Sequence, residues 1–137
     1  MTTTMSLRAV AATLLIGAGL GLVGCSSSAP PPPPPPPLPA GHYTNPNTPH
    51  GTETLDVNAQ GGYIQAATVA GVHHSINGTT APASDGLTFT ESFGGACTGQ
   101  PGTYVVTTDA GGVHFRLVTD PCASRAQDFP SGAWSRG

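Results

Sequence analysis

Cys25 closes the tetrapeptide Leu22-Val23-Gly24-Cys25 at the end of a short apolar run. That pattern is a lipobox, in which the cysteine sulfur accepts a diacylglyceryl group and the chain is cut just before it. The residues ahead of it read as a secretory signal over 1–24. Arg8 supplies the positive charge, Ala9 to Val23 form the apolar stretch, and Gly24 is the small residue before the cut. The apolar run is shorter than the about 20 residues a bilayer span needs. Two acyl chains anchor a protein stably where one does not. The expected address is therefore the outer, extracytoplasmic face of the cell membrane, reached without a twin-arginine signal.

With Cys25 committed to lipid, Cys97 and Cys122 remain as an even pair in an exported domain, for which a disulfide is the default. Closing that loop would stabilise the fold by about 3.5 kcal/mol on a chain-entropy estimate. The rival use, as free thiols or metal ligands, lacks a histidine or further cysteine at zinc-site spacing. His73 and His74 are adjacent, so on a strand they point to opposite faces. His42, His50 and His114 could complete a metal set only through folding, and the histidines are read as surface or satisfied residues. No metal and no cofactor are expected.

Catalysis has few candidate groups. The chain contains no G-x-S-x-G elbow. Glu53, Asp56 and Glu91 could pair as carboxylates for glycoside chemistry, but a separation cannot be read from sequence. A non-enzymatic protein is expected, with an envelope hydrolase as a remote alternative. Charge points the same way. The chain has no lysine, and past the signal three arginines face seven acids, a net charge of −4, which speaks against nucleic acid and against a polybasic membrane patch.

The elements that must carry these residues fall into three parts. Residues 1–24 are the signal, and 25–50 are the lipidated cysteine with a disordered, proline-rich tether. The third part, 51–137, is a single small domain. Eight prolines, Pro30 to Pro37, favour an extended left-handed helix that acts as a spacer of roughly 30 Å. The domain shows period-two alternation punctuated by glycine, which predicts an all-β fold. Strands are expected at Thr52–Asn58, Tyr63–Val69, Val72–Asn77, Leu87–Phe93, Thr103–Thr108 and Val113–Asp120, with Gly78–Gly86 a loop. Phe89 and Phe93 should face inward. Glu91 shares their face, so it must either be buried with a partner or mark a bend. A small antiparallel up-and-down meander or barrel with one disulfide is the predicted fold class.

The C-terminal half carries Ala96-Cys97, Gly102-Thr103-Tyr104, Val113-His114-Phe115, Asp120-Pro121-Cys122-Ala123-Ser124-Arg125 and Trp134-Ser135-Arg136. This string resembles small lipocalin-like (calycin-like) extracytoplasmic domains of actinobacteria, and with the lipobox the whole looks like a mycobacterial-type secreted lipoprotein. Gly51-Thr52-Glu53 stands where that pattern has G-x-W. The resemblance implies a Cys97–Cys122 pairing and a Trp134 that plugs one end of the barrel, with Arg125 or Arg136 stacked on its indole. On this reading the protein binds a small apolar ligand in the barrel, through residues such as Phe89, Tyr104, Phe115 and Trp134. The alternative is a protein–protein interaction or inhibitor module with a filled core, acting on another envelope protein through the loops Gly78–Gly86 and Gly94–Gly102.

Overall fold

The computed structural model describes residues 38–137; the lipobox with Cys25 and the proline run lie outside the described residues. Within them the alternating sequence forms eight strands: β1 (Gly41–Thr48), β2 (Gly51–Val57), β3 (Gly62–Val69), β4 (Val72–Ala83), β5 (Gly86–Phe93), β6 (Pro101–Asp109), β7 (Gly112–Thr119) and the short β8 (Ser135–Arg136). A short helix α1 (Ala123–Asp128) runs into a 3-10 turn at Phe129–Ser131. Every strand from β1 to β7 pairs antiparallel with its sequence neighbour, and β8 returns to pair with β1. Trp134, just ahead of β8, bridges to Val113 on β7. The result is a nearly closed up-and-down barrel, which leaves little unpaired strand edge.

Alternation explains the interior. Tyr43 and Asn45 of β1, Glu53, Leu55 and Val57 of β2, Tyr63 and Gln65 of β3, Leu87, Phe89 and Glu91 of β5, and Val113 and Phe115 of β7 are all buried. Phe89 sits at the centre. Its ring meets those of Tyr63, Tyr104, Phe115 and Phe129 edge to face, with centroids 5.3, 5.9, 5.6 and 4.8 Å away. Trp134 packs edge-on against Phe115 at 6.1 Å, and its Nε1–H donates to the Phe129 carbonyl at 3.1 Å. Such pairs contribute about 0.5–1.5 kcal/mol each beyond simple burial.

Three expectations change. The domain begins at Gly41 rather than Gly51, because residues 41–48 are a barrel strand and not part of a disordered tether. Leu38, ahead of it, is also in the core. Pro46 disguised this strand: it sits where the β1–β2 register shifts, between Asn45 and Thr48, so the missing N–H breaks no ladder bond. Residues 78–83 continue β4 instead of forming a loop. Gly78 is there for space, since a Cβ would lie 2.4 Å from the Tyr63 ring and 2.3 Å from the Thr90 carbonyl. Phe93 points outward and is 73% exposed, because a register shift at Asn77/Gly78 re-aims the end of β5.

Cys97 and Cys122 form the disulfide. It joins the β5–β6 loop to the start of α1, and so pins the helix over one end of the barrel.

Candidate functional site

The odd-numbered strands β1 to β7 all run toward the barrel end that α1 covers, and two clusters of polar side chains meet there. α1 is only six residues long, yet it buries two charged side chains one turn apart, Arg125 and Asp128. Each enters a different cluster.

Arg125 enters the first. Its Nε donates to Asp120 Oδ2 at 2.6 Å and its Nη2 to Asp120 Oδ1 at 2.9 Å, a two-pronged geometry that suits guanidinium and carboxylate. Nη2 also donates to the Gln100 carbonyl at 2.8 Å, and Glu91 Oε1 lies 3.7 Å from Nη1. The Tyr104 hydroxyl donates to Asp120 Oδ2, and the Cys122 N–H to Oδ1 at 2.7 Å. Burial pushes the Asp120 carboxyl up, but hydrogen bonds from Arg125, Tyr104 and Cys122 more than offset it, leaving it below its usual value. Burial, and then the bond to Asp120, raise the Tyr104 hydroxyl. Gly102 must lack a side chain, since a Cβ there would stand 2.0 Å from Asp120 Oδ2. The G-x-Y and D-x-C-x-x-R strings are therefore one buried structural knot. Arg125 is committed to Asp120, and Arg136 donates to the Ala40 carbonyl at 2.7 Å, so each arginine expected on the indole is held elsewhere.

Asp128 enters the second cluster. At the tip of the β1–β2 hairpin, the Thr48 hydroxyl donates to the Gly51 carbonyl at 2.8 Å and accepts the His50 N–H at 3.3 Å, holding the turn that presents His50. His50 Nδ1 lies 3.0 Å from Asp128 Oδ1 and 3.4 Å from Glu53 Oε1. The imidazole is 41% exposed, while the Glu53 and Asp128 side chains are only 2% and 5% exposed. Gln65 Nε2 donates to Glu53 Oε2 at 2.6 Å. Burial first, and then the Glu53 charge, push the Asp128 carboxyl up to about 6, with His50 acting in the opposite direction.

These residues form the floor of an open pocket of about 290 Å³ at the barrel mouth. Its walls are Ala66, Ala67, Val69 and Ile76, with His74 and Ser124 at the sides. The site thus pairs an apolar wall with an acidic floor.

The residues singled out from sequence are distributed differently. Phe89, Tyr104 and Trp134 are fully buried and Phe115 is 5% exposed; all four pack on one another or on Phe129, and none lines the mouth pocket. Glu53, Asp56 and Glu91 do not converge: Asp56 faces outward and accepts from His42 Nδ1 at 2.7 Å, and Glu91 belongs to the Arg125 knot. His73 and His74 diverge as expected, with only His74 reaching the pocket. Asp128 was missed because it lies 78 residues from His50 and no local pattern marks it.

No protein-family model matches the chain, and searches of curated proteins and of solved structures found no match.

Proposed function

We propose that this chain is a lipid-anchored, extracytoplasmic lipoprotein of the lipocalin-like type whose barrel is a binding module rather than a catalyst. Cys25 carries the anchor and the proline run lifts the domain from the membrane face. The ligand sits in the mouth pocket and not among Phe89, Tyr104, Phe115 and Trp134. The observation that carries this reading is the contrast between the two spaces. The interior is filled by edge-to-face rings, while the mouth leaves about 290 Å³ open above two buried carboxylates. A small molecule with an apolar body and a polar or cationic end fits that lining.

Native mass spectrometry of the full chain after incubation with a total envelope extract tests the proposal. A discrete small-molecule adduct is expected, and it should disappear in Ala67→Phe, which fills the mouth from the position opposite Glu53 on the neighbouring strand. An adduct that survives Ala67→Phe, or a bare mass throughout, overturns the mouth as binding site. The bare mass would favour the protein-partner alternative.

A further inference from the structure

Glu53 and Asp128 are two buried carboxylates facing one pocket, with only a half-exposed imidazole between them. Buried carboxylates are costly unless a cation pairs with them. Among the described residues no lysine or arginine supplies one. The chain contains no lysine. Arg125 is taken by Asp120 and Gln100, Arg136 by Ala40, and Arg116 stands exposed on β7 opposite Val105. Arg8 lies outside the described residues. His50 is the one donor to the Asp128 carboxylate among the described residues. This nearly buried side chain lines the pocket together with Glu53 and His50.

We propose that His50 Nδ1 and the carboxylates of Glu53 and Asp128 bind one divalent transition-metal cation of the zinc class at the pocket floor. The spacing already suits this. One donor atom from each of the three residues lies within 4.8 Å of the others. Tetrahedral ligands about 2.1 Å from an ion stand about 3.4 Å apart, and the His50 contacts here are 3.0 and 3.4 Å. An imidazole with two carboxylates favours zinc-like ions over calcium or magnesium, which prefer all-oxygen shells. Gln65 holds Glu53 through its amide and acts as a positioning residue. Three protein ligands leave a coordination position open toward the pocket. The inference deepens the mouth-binding reading by naming the ion that its acidic floor takes. The other cluster of possible ligands, Glu91 with Cys97 and Cys122, is excluded because the disulfide consumes both thiols.

The test is a calorimetric titration of the full, metal-stripped chain with Zn²⁺ alone. One equivalent per chain should bind. Asp128→Asn and His50→Ala should abolish that binding, Gln65→Leu should weaken it about 10- to 100-fold, and His42→Ala should leave it unchanged. Should the buried-site variants fail to fold, ring-nitrogen NMR of the parent decides. Zn²⁺ should move the His50 resonance before those of the other four histidines. Absence of stoichiometric binding, binding indifferent to His50 and Asp128, or equal response of all the histidines overturns the proposal. If Zn²⁺ fails while an extract adduct is still lost in Ala67→Phe, the mouth reading stands and only the metal falls.

Discussion

Val113 and Trp134 exchange both backbone hydrogen bonds, at 3.0 and 2.8 Å, and this pair ties the end of the chain to β7. Close approach is possible because Gly112 has no Cβ; one would lie 2.4 Å from the Trp134 carbonyl. From there Ser135 and Arg136 pair with Thr44 and Tyr43 of β1. Trp134 therefore closes the barrel with its backbone and fills it with its indole.

Trp134→Ala should cost about 3–5 kcal/mol, the usual penalty for removing a large buried ring. Urea unfolding followed by far-UV circular dichroism measures it. A loss below about 1 kcal/mol would mean that the indole does not hold the seam.

Reducing the Cys97–Cys122 bond should remove about 3–4 kcal/mol, a large fraction of the stability of a domain this small. Thermal melts with and without reductant give the answer. Equal melting temperatures would show that α1 stays docked without its staple.

Asp120 sets the response to acid. Its folded carboxyl titrates below the unfolded value of 3.8, so the folded state favours the charged form. Its contribution is fully present above that unfolded value and is lost as pH falls through the folded one. Asp120→Asn should therefore flatten the acid limb of the stability curve, besides costing about 3–5 kcal/mol at neutral pH by stranding Arg125. An unchanged acid limb would assign the effect to other carboxylates.

Cys25→Ala tests the anchor. The variant should leave the membrane fraction or accumulate as an uncleaved precursor, and should take up no labelled fatty acid. Undiminished lipid labelling would refute the lipobox reading.

The sequence made the strands legible wherever apolar residues alternate without interruption, as in β5 and in the β6–β7 hairpin across Asp109-Ala110-Gly111-Gly112. It hid β1 because Pro46 and Pro49 mimic a loop while Tyr43 and Asn45 still face inward. It hid α1 because six residues are too few to show a helical period, and because the buried residues of that helix are charged. The floor of the mouth was the least legible part. His50 and Glu53 lie on one hairpin, but Asp128 joins them only when the disulfide and the Arg125 knot set the helix down. Glu91 needed a buried partner, and Arg125 is that partner.

The order of the strands also shapes how the chain folds. From β1 to β7 every ladder joins sequence neighbours, so each can form by zipping outward from a local connection, a short turn in every case but the β5–β6 loop over 94–100. Joining β8 to β1 is the exception: it brings together the two ends of the described segment and must pay the entropy of closing nearly the whole domain as a loop. Hairpins should accordingly assemble early and the seam last. Substitutions at Trp134 would then quicken unfolding while leaving the folding rate almost untouched.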